Sequence, residues 1–506
     1  MSGTPDKSTP SFYLGIDQGT TGTTSILFDG AWRIRGRGYK EHTQYYPKPG
    51  WVEHDPVEIW QKMLESVSMA LENANVPARK IRAIGIDNQG ETCMVWERDT
   101  GQPVHNAIVW QDRRTALTAD KLRNECGEMI HRSTGLQVDA YFSALKIGWI
   151  LDHLDKGRAR ADKGELLIGT LDTWLIWKLT GGEAYLTDPS TASRTMLFNI
   201  HTGQWDEAIL EKLGLSSAIL PRIQQTASVF GHTSRNAFFG VEIPISSSVV
   251  DQAAALFGQT CYEPGSVKTT YGTGCFMLMN TGEQPVLSRN GLLTTTVWDL
   301  EGKLTYALEG GVYIAGAAIQ WLRDGLRIIR SADETETIAE SVPDCGGAHF
   351  VPAFVGLAAP YWDQYARGTI VGITAGTTHA HIVRATLEAI AFQVAEILEV
   401  MRTDTGRSID VMRVDGGAVV NRFLIQFQAD ILGIPVDVPK INETTALGAA
   451  FLAALGVGDV EGTDALRDKW RLECRYEPRF SRDEREKRMY EWRRAVERSR
   501  EWTQDK

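Results

Sequence analysis

Two short apolar runs, Phe12–Ile16 and Ser25–Phe28, flank a turn of Gly19, Gly22 and small hydroxyl residues. That pattern predicts a β-hairpin whose tip carries no bulky side chain. Trp32–Glu41 supplies a third antiparallel strand. Asp55-Pro56-Val57-Glu58 then opens a helix, with Asp55 as N-cap, Pro56 in the first helical position and Glu58 closing a capping box. Behind it Trp60, Met63, Leu64, Val67 and Leu71 recur at helical spacing, which lays one face on a sheet. Ile81–Ile86 and Cys93–Glu97 read as strands, and Asn106–Trp110 as a shorter apolar run leading into a helix. Phe142–Leu154 and Leu171–Leu179 are helical patterns. Strands answered by helices in this rhythm predict an α/β fold.

The second half repeats the plan. Ile243–Val250 is a strand that runs into a helix at Asp251–Phe257, and Val267–Met279 is a second hairpin with a glycine-rich tip. Leu292–Leu308 gives a strand pair; Ile314–Leu326 and His381–Met401 give helices. Ile409–Val414 is a strand ending at Asp415-Gly416-Gly417, with a helix from near Asn421. The closing Arg482–Glu501 segment is so charged that it predicts a solvated surface helix. A chain of 506 residues exceeds one hydrophobic core, so two large domains are expected. We place them at 12–258 and 259–506, behind a loose polar tail at 1–11, with the junction near Gly258–Gly265.

Composition narrows the function classes. The chain is 43% hydrophobic and 23% charged, as in ordinary soluble globular proteins. A net charge of −11 disfavours nucleic-acid and acidic-membrane partners, and no run reaches the roughly 18 apolar residues of a membrane span. The six cysteines are scattered without metal-type or redox spacing, which fits reduced thiols in a cytoplasmic protein.

The candidate chemistry lies in the turns. Neither a Walker loop nor a strand-borne G-x-G-x-x-G is present. Three glycine turns stand in their place: Gly19–Thr23, with hydroxyls on Thr20, Thr21 and Thr23; Gly272–Gly274, around Thr273; and Gly416–Gly417. Backbone N–H groups converging in such turns bind anions. Asp17, at the mouth of the first strand, is placed to hold a cation bridging phosphates. Asp251 has two readings, a plain helix N-cap or a general base for an acceptor hydroxyl. Glu91, Trp110 and Tyr141 would then form a small polar pocket with aromatic walls.

With those residues set out, the chain resembles the FGGY carbohydrate kinases from about Phe12 to Trp492. The resemblance is carried by Tyr46-Pro-Lys-Pro-Gly-Trp-Val-Glu-His-Asp55, Asn106-Ala-Ile-Val-Trp-Gln-Asp-Arg-Arg-Thr115, Ser193-Arg-Thr-Met-Leu-Phe-Asn-Ile-His201, Tyr271-Gly-Thr-Gly-Cys-Phe-Met-Leu-Met-Asn280 and Val414-Asp-Gly-Gly-Ala418. It implies two RNase-H-like domains of the actin, hexokinase and Hsp70 type, closing over ATP–Mg²⁺ and a small polyol, and assembly as a homodimer or homotetramer. It further implies that Asp251 is the catalytic base, and that Gln252, Gln89, Gly90, Glu91, Trp110, Tyr141 and Phe276 surround the acceptor. Gly19, Thr20, Thr21, Thr23, Gly272, Thr273, Gly416 and Gly417 are implied for the phosphates, Gln320 and Asn421 for the adenosine side, and Asp17 and Asp251 for Mg²⁺. The reaction expected is ATP-dependent phosphorylation of glycerol.

Three positions depart from the pattern of such polyol kinases. Gly90 stands where an acceptor-binding Arg is usual, Thr24 where an Arg follows the first turn, and Val250 where a Gly precedes the base. The room left at Gly90 makes a four- or five-carbon polyol or related sugar the alternative acceptor.

Overall fold

The computed structural model describes residues 11–503, so the expected tail lies, except for Ser11, outside the described residues. Two mixed sheets share one plan: an antiparallel meander continued by parallel strands. The first orders Gly231–His232, Pro244–Val250, Ile81–Asn88, Phe12–Gln18, Gly22–Asp29 and Ile34–Glu41 as neighbours. The second orders Leu293–Leu300, Lys303–Val312, Cys275–Gly282, Val267–Tyr271, Met412–Asp415, Val436–Pro439 and Leu472–Tyr476. In both, the strand that opens the hairpin pairs antiparallel with its hairpin mate and parallel with a strand that returns much later in the chain. Covered on both faces, these central strands read as nearly unbroken apolar runs.

Two short-residue helices join the halves. Asp251–Gly258 leaves the first sheet, and Thr444–Gly456, from the far end of the sequence, packs on it and on the first sheet's strands. A Cβ on Gly258 would lie 2.0 Å from the Thr444 carbonyl oxygen, and one on Gly448 would lie 1.9 Å from that of Ala254. Only glycine admits that backbone approach. Trp298, Phe257 and Phe451 complete the mixed core around this contact.

Asp55 caps the helix Pro56–Ala74 as expected, its side chain accepting from the Val57 N–H. Glu58 closes no box. Its Oε1 instead accepts from the backbone and hydroxyl of Thr43, because that loop offers two donors in reach. The charged helix Arg482–Ser499 departs further from expectation: Met489, Trp492, Ala495 and Val496 are buried, with Trp492 stacked on Phe392 at 5.3 Å. One stripe of that helix belongs to the core. No helix among the described residues is long and apolar enough to cross a membrane.

Candidate active site

The carboxyl ends of the first sheet's parallel strands bring three carboxylates together. Asp17 and Asp87 sit opposite each other in register, Val249 is opposite Asp87 on the other side, and Asp251 follows that strand. Asp251 is the first residue of its helix, while Val250 holds the N-cap position without a side-chain bond, so the plain-cap reading of Asp251 falls. Asp251 Oδ1 accepts the Gln252 N–H at 2.7 Å. Burial first, then the charge of Asp17, pushes its carboxyl up to about 6, against the pull of that N–H and of Lys268. Burial likewise lifts Asp17 to about 6. Asp87 is enclosed, and among the described residues no donor reaches either of its oxygens. Burial and the charges of Asp17 and Asp251 hold it well above the usual carboxylate range.

A cleft of about 1560 Å³ is lined by Asp251, though not by Asp17 or Asp87, and both hairpin tips, through Thr20, Thr21, Gly272 and Thr273, reach it. Its inner end is a small pocket with aromatic walls. Trp110 stands edge-on to Tyr141 at 5.7 Å and to Phe276 at 6.4 Å, and its indole N–H donates to Thr20 Oγ1 at 2.9 Å. Glu91 holds a left-handed backbone, φ 59°, which is costly for a residue with a side chain and marks an imposed geometry. Its Oε1 accepts from Arg194 Nε at 2.6 Å, and the Arg194 fork donates to both oxygens of Glu309 at 2.8 and 3.0 Å. Burial pushes the Glu91 carboxyl up to about 7, with Arg194 opposing.

The room expected at Gly90 is not there. A Cβ on Gly90 would meet Val250 Cγ2 at 3.0 Å and Arg194 Cγ at 3.4 Å, so these two side chains fill the space that a residue larger than glycine would take. Gly90 and Val250 therefore face each other as one small-and-large pair. Arg194 lines the same cleft, its guanidinium committed to Glu91 and Glu309.

Several expected site residues hold the frame instead. The Thr23 hydroxyl is buried and donates to Gln18 Oε1 at 2.6 Å, away from the cleft. Gln89 lines the cleft, and its amide also braces the tip, donating to the Gly19 carbonyl at 3.2 Å and accepting from Thr92 Oγ1 at 3.0 Å. Gly19 closes that tip through its N–H to the Gly22 carbonyl at 3.0 Å. Asn421 is the N-cap of Arg422–Leu432: its Oδ1 accepts the Leu424 N–H and its amide donates to Thr335 Oγ1, both at 2.9 Å. Both ends of its side chain are thus occupied. Gly416, at φ 93°, carries the second sheet's strand end past Tyr271, where a Cβ would meet the Tyr271 carbonyl oxygen at 2.4 Å. Gly417 and Gln320 are exposed, and neither they nor Gly416 and Asn421 line the cleft.

The sequence reading missed Asp87, Arg194, Lys268 and Glu309. Asp87 had a signal, since a carboxylate ends its apolar strand just as Asp17 ends the first. Arg194 and Lys268 had a weaker one, a lone cation among buried neighbours, and Glu309 had none.

These two tips and one pocket match known proteins along the whole chain. The model of the FGGY family of carbohydrate kinases, N-terminal domain, matches residues 12–258, and that of its C-terminal domain matches 267–457. "Glycerol kinase 2" of Thermotoga maritima is 55% identical over 492 residues, covering 97% of this chain and 99% of that one. "Glycerol kinase" of Petrotoga mobilis is 53% identical over 496 residues, covering 98% and 99%. The crystal structure of Plasmodium falciparum glycerol kinase with ADP superimposes with a TM-score of 0.90 at 37% identity, covering 97% of this chain and 98% of that one. The chain belongs to the FGGY family of carbohydrate kinases.

Proposed function

We propose that this protein transfers the terminal phosphoryl group of ATP to a terminal hydroxyl of glycerol, giving glycerol 3-phosphate. The observation that carries the reading is the meeting of Asp251, Glu91 and the Trp110, Tyr141 and Phe276 rings on one cleft, in a chain 55% identical to a protein named as a glycerol kinase. Asp251, with a carboxyl near 6, is ionised at neutral pH yet basic enough to take the hydroxyl proton as the new O–P bond forms. Glu91 keeps one carboxylate oxygen free of Arg194 to accept from a second hydroxyl. Gln252 offers its amide N–H groups, and the Trp110, Tyr141 and Phe276 rings pack the carbon chain.

Thr20, Thr21, Gly272 and Thr273 present hydroxyl and backbone donors to the phosphates from the two tips. Catalysis is then mainly positioning and charge stabilisation along an in-line path. Asp17 and Asp87 fit a hydrated divalent cation, because a half-buried and a fully buried carboxylate lie side by side and the second lacks any donor among the described residues. No group of three or more His, Cys, Asp or Glu among the described residues could hold an ion alone, so phosphate and water oxygens would complete its shell. Mg²⁺ bound there would neutralise charge on the phosphate oxygens. A cytosolic setting is supported by six free thiols.

The test is coupled ADP release with ATP–Mg²⁺ across glycerol, erythritol, ribitol, arabinitol, xylitol and xylulose. Glycerol should give the highest kcat/KM. A longer acceptor ahead by about tenfold, ~1.4 kcal/mol of transition-state preference, would overturn the glycerol assignment.

A further inference from the structure

Lys268 lies in the middle of the strand Val267–Tyr271 with no exposed surface. Its ammonium donates to two neutral oxygens, Nζ to Gln252 Oε1 at 2.5 Å and to Thr270 Oγ1 at 2.9 Å, and the carboxylates of Asp415, Asp251 and Glu309 favour its charge. The Thr270 hydroxyl passes the chain on, donating to Asp415 Oδ1 at 2.6 Å, its register partner on the next strand. Asp415 Oδ2 accepts from Thr444 Oγ1 at 2.7 Å and from Gln259 Nε2 at 2.8 Å. The next residue in sequence is Gly416, the start of the third glycine turn.

An enclosed ammonium is costly to desolvate, and a strand of Val, Thr and Tyr neighbours needs no cation for packing. Its geometry gives it another use. An amide has two ends of nearly equal size, and an oxygen held by a cation cannot rotate to the donor side. With Oε1 on Lys268, Gln252 is fixed with its N–H groups as the free end. The same ammonium orients Thr270, and through it the carboxylate next to the Gly416–Gly417 turn.

We propose that Lys268 is a positioning residue that fixes the Gln252 amide toward the acceptor and links the acceptor pocket, through Thr270, to the Gly272–Thr273 tip of its own hairpin. The inference rests on the polyol-kinase reading, and parent turnover with glycerol checks that reading separately. Thr270 lines the cleft just before Gly272 and Thr273, the donors assigned above to the phosphates, so the link couples acceptor and nucleotide binding, reciprocally so.

The experiment compares the full chain with Lys268→Met and Thr270→Val. It measures kcat, KM for glycerol, and the ADP dissociation constant with and without saturating glycerol. Glycerol should tighten ADP binding to the parent by about fivefold or more. Lys268→Met should raise the glycerol KM and lower kcat, each by about tenfold, and abolish the coupling. Thr270→Val should keep the glycerol KM within about threefold and still lose most of the coupling, because it cuts the chain beyond Gln252. Parent turnover with both variants indistinguishable from it, or a parent without coupling, overturns the proposal and leaves the kinase reading standing. A parent that phosphorylates no polyol overturns the kinase reading. If Lys268→Met does not fold, Thr270→Val decides alone: retained coupling refutes the link.

Discussion

Asp251 sets the first prediction at the scale of single residues. A general base works only when deprotonated, and burial plus Asp17 raise this carboxyl to about 6. The rate kcat/KM should therefore be level above that pH and fall by about one decade per unit below it. Asp17 titrates in the same range, so the observed limb belongs to the pair. Asp251→Asn should lower kcat by about 10²–10⁴ with ADP affinity intact, as steady-state rates and calorimetry would report. Gly90 gives a second prediction, of opposite sign to what its bare replacement suggests. Gly90→Arg would drive a side chain into Val250 and Arg194, so glycerol kcat/KM should fall by about tenfold or more rather than improve. Gly90→Arg with Val250→Gly should recover much of that loss, a non-additivity read from a double-mutant cycle. That Asp251, Glu91, Trp110, Tyr141 and Phe276 would share one cleft was legible in the sequence because each lies in a distinctive local pattern. The partners of Gly90 were not, since Arg194 is 104 positions away and meets it only through the fold. Thr23, Gln89 and Asn421 show the complementary limit: residue type announces a donor, but only the neighbours tell whether that donor is already used.

At the scale of elements, periodicity served where one face is dry and the other wet. The helix Pro56–Ala74 has that character; the two hairpins, buried on both faces, were marked instead by glycine turns between apolar runs. The helix Thr444–Gly456 escaped because it is buried nearly all round and so carries no polar face to mark a period. The charged helix Arg482–Ser499 erred the other way, its apolar stripe of Met489, Trp492 and Val496 being narrow beside so many charges. That stripe carries weight. Trp492 stacks on Phe392 and donates its indole N–H to Glu396 Oε2 at 3.0 Å. Trp492→Ala should cost about 3–5 kcal/mol and lower the thermal midpoint, while a surface helix would tolerate the change. Glycerol KM below that midpoint should stay near the parent value, since the helix meets none of the acceptor contacts.

At the scale of the molecule, the acceptor pocket is a property of both halves together. Glu91 and Arg194 come from the first half, whereas Glu309 and Phe276 come from strands of the second sheet. Arg194 is 3% exposed and Glu309 5%, so their paired charges have little water to fall back on. Such a pair is poor evidence of stability but a strong registration device, because either partner left alone is penalised. The fork thus favours one mutual placement of the halves, the one in which Glu91 is held ready and the Phe276 ring closes the pocket. Glu309→Gln keeps the shape, removes the charge and leaves a single acceptor where there were two. It should destabilise the fold by ~1–3 kcal/mol. It should also raise the glycerol KM by about tenfold, with ADP affinity measured without glycerol changed less than about twofold. Equal loss on both ligands would mean that Glu309 only supports the fold. Loss confined to glycerol would mean that the acceptor is bound by the junction itself, which explains why its residues are scattered over a span from Glu91 to Glu309 and why no short motif contains them.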